Sequence, residues 1–112
     1  MEIPEEDLLE LASILDSGGV KQLRERFDHP RRVRQRLSQF TERIFMFPFG
    51  VHPDPTKPID IYYNGMLQWT GEEVVLRRVG TVEPLTVLVL DHPASTKDTV
   101  EAIYTTMAEA EP

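Results

Sequence analysis

Each of the three histidines in this chain stands directly before a proline, as His29-Pro30, His52-Pro53 and His92-Pro93. An aspartate lies next to each histidine or one step beyond it: Asp28, Asp54 and Asp91. Imidazoles backed by carboxylates are the donor set of a zinc-like centre, with the carboxylates as further ligands or as orienters of the rings. The spacing is poor for that chemistry. Three ligands would have to come from three separate loops, and no two histidines stand four apart on a helix. The structural reading ranks first: aspartate caps an element, proline stiffens the junction, and the residue before proline is held extended. No metal and no cofactor is therefore expected, and His29, His52 and His92 are the weak metal candidates. His92 with Asp91 is the best acid–base pair, because it follows an apolar run at 85–90 and strand ends often present functional groups.

Other catalytic patterns are thinner. Ser13, Ser17, Ser38 and Ser95 fall in expected helices or caps, without the Gly-x-Ser-x-Gly turn that exposes a nucleophile. Gly18-Gly19 and Gly50 lack the spacing and the following lysine of a phosphate loop. Glu72 and Glu73 are adjacent in a turn, where a solvated pair is expected rather than a carboxylate dyad. With no cysteine there is no thiol nucleophile, thiolate metal site or disulfide.

The second constellation is basic. Residues 21–43 hold eight of the twelve lysines and arginines against three acidic residues, a net of +5, while the rest of the chain carries four against sixteen, a net of −12. Arg31, Arg32, Arg34 and Arg36 lie at its centre. Such segregation marks a basic surface for an acidic partner, or a basic face paired with carboxylates of the same chain. A short helix, a turn and an arginine-bearing helix also have the layout of a helix-turn-helix, whose arginines would meet nucleic acid. The acidity of the remaining chain opposes a phosphate backbone.

The elements that must position these residues follow from periodicity and breakers. A helix is expected from about residue 4 to 16, with Pro4 in its first turn, Glu5, Glu6 and Asp7 at the positive end of its dipole, and Leu8, Leu11, Ile14 and Leu15 as its stripe. Gly18 and Gly19 end it. A short helix over 20–27 comes next, then a third helix capped by Asp28 with Pro30 near its start. Val33, Leu37, Phe40 and Ile44 form the apolar face of that third helix, opposite Arg31, Arg32 and Arg36. Residues 44–49 read as a buried strand and 50–58 as a proline-stiffened loop.

Asn64-Gly65 marks a hairpin. A three-residue loop at 63–65 pairs Ile59 with Trp69 and Ile61 with Leu67 and is preferred to the two-residue turn, which mixes polar and apolar residues on a face. Its outer face then carries Tyr62 and Met66, anchors for a partner. Strands follow at 73–79 and 85–90. The second is central, since Leu85, Val87 and Val89 on one face and Leu88 and Leu90 on the other all need cover. Ser95 and Asp98 have capping-box spacing for a last helix from about Thr96, with Val100, Ile103, Tyr104 and Met107 buried.

At 112 residues, 40% hydrophobic and 28% charged, the chain has the proportions of one globular domain spanning 1–112. No apolar run approaches the roughly 18 residues of a membrane span, and the N-terminus is acidic where a signal peptide would be basic, so a cytoplasmic location without membrane contact is expected. The expected fold class is α+β: N-terminal helices, an antiparallel sheet of four to five strands centred on 85–90, and a C-terminal helix packed on the sheet. The expected function is that of a non-enzymatic interaction or adaptor domain. A protein partner would be bound through Arg31, Arg32, Arg34 and Arg36 and the hairpin residues Tyr62 and Met66. A helix-turn-helix-like nucleic-acid regulator is the alternative, and a small enzyme or metal-binding protein built on the His/Asp loops comes third.

Overall fold

The computed structural model describes residues 2–17, 31–81 and 84–106. Within them the chain forms one helix, α1 (Glu5–Asp16), and eight strands: β1 (Arg32–Arg36), β2 (Ser38–Gln39), β3 (Ile44–Met46), β4 (Asp60–Tyr63), β5 (Met66–Gln68), β6 (Val74–Val79), β7 (Leu85–Leu90) and β8 (Val100–Thr105). The strands make two antiparallel four-stranded sheets, ordered β1-β8-β4-β5 and β2-β3-β7-β6. The fold is thus mostly β, and the expectation of an α+β domain with N- and C-terminal helices on one sheet is overturned.

Three layers result. The two sheets close on a shared core of Phe45, Leu88, Leu90 and Val74 from one sheet and Ile61, Val100, Ala102 and Tyr104 from the other, with Leu37, Phe47, Val51 and Ala94 sealing the connections. The Phe47 and Tyr104 rings meet edge to face, with centroids 5.2 Å apart, a geometry worth about 0.5–1.5 kcal/mol beyond area burial. The opposite face of β2-β3-β7-β6 carries Ile44, Val79, Leu85, Val87 and Val89, and Leu8 and Leu11 of α1 pack onto it. This explains why all six residues of β7 are buried: its two faces feed two separate cores. α1 spans nearly the expected residues, with Pro4 at the N-cap, one position before the first turn, and an acidic first turn.

Two helices are corrected to strands. β1 runs Arg-Val-Arg-Gln-Arg with alternating exposure, so the arginine-rich segment follows period two and not 3.6. At Leu37 the chain leaves one sheet and enters the other: the Leu37 amide still donates to the Val100 carbonyl of β8 at 2.9 Å, and Ser38 already pairs with Met46 of β3. Val33 and Leu37 therefore face the core between the sheets, while Phe40 and Ile44 reach the core under α1. Their spacing imitates a helix only because the strand changes sheets.

The segment after Thr96 turns once and becomes β8, whose inward residues are Val100, Ala102 and Tyr104. Ser95 and Asp98 make the expected local bonds, the Ser95 amide donating to Asp98 Oδ2 at 2.8 Å and the Asp98 amide to the Ser95 carbonyl at 3.1 Å. They close a turn and not a helix start.

The hairpin register is also corrected. Tyr63 pairs with Met66, Tyr62 with Leu67 and Ile61 with Gln68, which is the two-residue turn. Asn64 and Gly65 have φ of 49° and 83°, the left-handed pair that matches strand twist. The Gly18-Gly19 cap, the helix over 20–27, Asp28, Pro30 and Met107 lie outside the described residues. Among the described residues no helix is long and apolar enough to cross a membrane.

Candidate functional site

Strand pairing places the residues of the β1-β8-β4-β5 sheet face by face. Arg32 stands opposite Thr105, Arg34 opposite Ile103 and Arg36 opposite Glu101. Asp60 lies opposite Ile103 on the other side of β8, and Tyr62 lies between Glu101 and Leu67. Residues paired directly across an antiparallel sheet project to the same face. Arg32, Arg34, Arg36, Glu101, Ile103, Asp60, Tyr62 and Leu67 consequently form one surface, which Trp69 continues by period two. The other face of the same strands carries Val33, Ala102, Tyr104 and Ile61 into the core. Leu67 is 50% exposed and Trp69 67%.

The electrostatics of that face are largely internal. Arg32 Nη2 is 3.5 Å from Asp60 Oδ2, and its Nη1 donates to the Pro58 carbonyl at 2.7 Å. Arg34 donates through Nε to Glu101 Oε2, and that bond, with the charge of Glu101, raises the guanidinium pKa above its ordinary value. The Arg36 guanidinium has no partner among the described residues. Arg31 is exposed beside the sheet, where its backbone exchanges hydrogen bonds with Thr106.

Four of the six residues expected to bind a partner, Arg32, Arg34, Arg36 and Tyr62, are thus gathered on one surface, by a strand where a helix was expected. Met66, 67% exposed, caps the hairpin tip with its side chain on the opposite parity. Leu67 and Trp69 were missed as surface residues because the three-residue register preferred on the sequence turned them inward. The Asn-Gly turn itself was the signal that could have found them.

The two described histidines, His52 and His92, do not converge. His29 lies outside the described residues. The His52 Nδ1 is 2.6 Å from the hydroxyl of Thr86, near the start of β7, whereas His92 follows the strand's other end. The four-residue step from Thr86 to Leu90 alone spans about 13 Å at 3.3 Å per residue. No group of three or more metal-ligating side chains occurs among the described residues.

His92 Nδ1 lies 2.6 Å from Asp91 Oδ1, and the imidazole packs edge-on against the Tyr63 ring at a centroid distance of 5.0 Å. A carboxylate on Nδ1 fixes the tautomer and leaves Nε2 bare, a geometry capable of proton transfer. Among the described residues no hydroxyl bonds that ring. Beside it, Tyr63 donates its phenolic proton to Asp98 Oδ2, Asn64 Nδ2 donates to Asp98 Oδ1 at 3.0 Å, and the Thr99 amide donates to Asn64 Oδ1 at 2.8 Å. These bonds, Tyr63 first, hold the Asp98 carboxyl down at about 2 and push the Tyr63 phenol up. The cluster ties the hairpin turn to the 95–99 loop.

A third feature is a cleft of about 450 Å³ lined by Pro53, Asp54, Pro55, Lys57, Ile59, Leu76, Arg77, Arg78 and Thr86, within the size range of ligand sites. No protein-family model matches the chain, and no curated protein or solved structure matches it significantly.

Proposed function

We propose that the chain is a non-enzymatic interaction module whose protein partner seats on the outer face of the β1-β8-β4-β5 sheet. What supports this is the exposure of Leu67 and Trp69 on the same surface as Tyr62, Ile103 and three arginines. Tryptophan, tyrosine and arginine are the side chains that most often carry binding energy at protein interfaces. Two of the arginines are held by Asp60 and Glu101. Their carboxylates offset the attraction a phosphate backbone would feel, and their fixed geometry favours a partner that matches an alternating charge pattern.

The test is affinity capture with three immobilised baits: the unaltered chain, the double variant Leu67→Lys/Trp69→Ala, and Glu10→Lys on the exposed side of α1 as a control on a different surface. A partner should be retained by the first and third baits and lost from the second. If every captured protein stays on the double variant, the outer face is not the binding surface.

A further inference from the structure

We propose that the cleft between β6 and the 53–59 loop is a second site, which takes an acidic peptide in extended form as an added strand. This proposal is independent of the outer sheet face.

The first ground is the direction of the backbone at the cleft. In β7, the Thr86 carbonyl accepts from the Phe47 amide and the Leu90 amide donates to the Arg43 carbonyl, so its even-numbered residues face the β3 side. Its odd-numbered residues face β6, where they pair with Val75, Arg77 and Val79. The N–H and C=O of Leu76 therefore point away from the sheet, and no described residue bonds them.

Across the cleft, the Asn64 amide donates to the Thr99 carbonyl, so the even-numbered residues of β4 face β8. Ile59 by the same parity faces the β5 side. It stands one step beyond the last β4–β5 pair, Ile61 with Gln68, where Thr70 has turned away to bridge Val74. Its outward groups also have no bond from any described residue. Ile59 and Leu76 line the same cleft. Among the described residues it thus presents two unfilled strand edges, one from each sheet, and an inserted strand supplies the groups both lack.

The second ground is charge. Lys57, Arg77 and Arg78 line the cleft, and Asp54 is the one carboxylate among its described lining residues, in a chain whose net charge is −7. Asp54 is already engaged in its own turn, its Oδ1 accepting the Thr56 amide at 2.9 Å and the Thr56 hydroxyl at 2.7 Å. The wall is stiff as well, with Pro53, Pro55 and Pro58 in the loop and the Asp54 amide tied to the Thr105 carbonyl at 2.8 Å. A strand with alternating side chains would lay apolar groups on Ile59 and Leu76 and turn carboxylates to Lys57 and Arg77 at the rim.

The probe is a blocked, fluorescein-labelled heptapeptide that alternates valine and glutamate, followed by anisotropy and by amide shifts of the full chain. Saturable binding is expected, with the largest shifts at Ile59 and Leu76. Arg77→Glu and Lys57→Glu should each weaken it about tenfold, while Leu67→Lys/Trp69→Ala should leave it unchanged. Leu76→Pro removes an N–H that has no partner among the described residues and should abolish strand addition. Should that variant fail to fold by circular dichroism, the same peptide with N-methylated glutamates decides the point and should bind at least tenfold more weakly.

Three results would overturn the proposal. They are equal binding of the valine–lysine counterpart, equal binding of the N-methylated peptide, and the absence of saturation up to about 1 mM.

Discussion

The two sheets have the same number of strands and the same antiparallel pairing, yet they live in different solvents. The β2-β3-β7-β6 sheet is covered on both faces, by α1 on one side and by the other sheet on the other. Among the described residues the β1-β8-β4-β5 sheet is covered on one face, and β8 alternates between buried and half-buried residues while β7 has no exposed position. An apolar side chain on β7 is accounted for by folding. Leu67 and Trp69, at 50% and 67% exposure, are not, since they bury little against their own chain. This contrast separates the scaffold from the surface available for recognition.

The largest expected effects fall on the doubly covered sheet. Leu88 is fully buried between the sheets, and Leu11 of α1 is fully buried against the β2-β3-β7-β6 sheet. Leu88→Ala should cost about 2–5 kcal/mol, read as a shift of the urea midpoint at constant slope. Leu11→Ala should cost about 2–4 kcal/mol in the same measurement and loosen the helix from the sheet. A Leu88→Ala cost no greater than that of Leu67→Ala would break the distinction between the two sheets.

A smaller effect, about 1 kcal/mol, is expected for Gly65→Ala in the hairpin turn. Its φ of 83° penalises any side chain although open space surrounds the position. The melting temperature should drop while the far-ultraviolet spectrum stays unchanged. An unchanged melting temperature would mean that the turn is not the left-handed pair.

The same contrast shows which parts of the fold were legible in the sequence. The run at 85–90 has one interpretation whether its cover is helix or sheet, because six residues with one polar member need apolar contact on both faces. The helix at residues 5–16 carried its own start signals in Pro4 and three acidic residues. The failures lie where the chain serves two layers at once. Val33, Leu37, Phe40 and Ile44 recur at helical intervals because Leu37 marks a change of sheet, although the arginines at 32, 34 and 36 alternate as a strand should. Val100, Ile103 and Tyr104 suggested a helix stripe, while the small Ala102 hid the true period of two. At the hairpin, matching apolar residues across the turn assumed that both strands bury their apolar face. β5 is an edge strand and does not.

A pH dependence follows from the cluster that joins the hairpin turn to the 95–99 loop. Asp98 is held at about 2, first by the Tyr63 phenol and then by Asn64 and the Ser95 amide, against an unfolded value near 3.8. Its folded pKa is depressed, so its contribution is fully present above the unfolded value and is lost as pH falls from about 4 through about 2. Tyr63 acts at the other end: its pKa is raised above 10 by the same bond, and that contribution fades as pH climbs past the unfolded value. The urea midpoint of the unaltered chain should decline below pH 4, and the decline should be shallower in Asp98→Asn. Parallel curves for the two proteins would remove Asp98 from the acid response.

The smallest effect on stability is expected where the effect on binding should be greatest. Trp69→Ala removes the largest exposed side chain of the open sheet. Because the ring is 67% exposed, the change in unfolding free energy should stay within about 0.5 kcal/mol, as for most surface positions. The Trp69 amide would keep its bond to Glu73 Oε2 at 2.7 Å, which does not depend on the side chain. A tryptophan that costs nothing to remove from the fold has its apolar area to spend elsewhere, and the capture experiment reads that use directly. If Trp69→Ala instead destabilises the chain by about 2 kcal/mol or more, the ring is part of the core, and the open sheet loses the residue that most distinguishes it from the covered one.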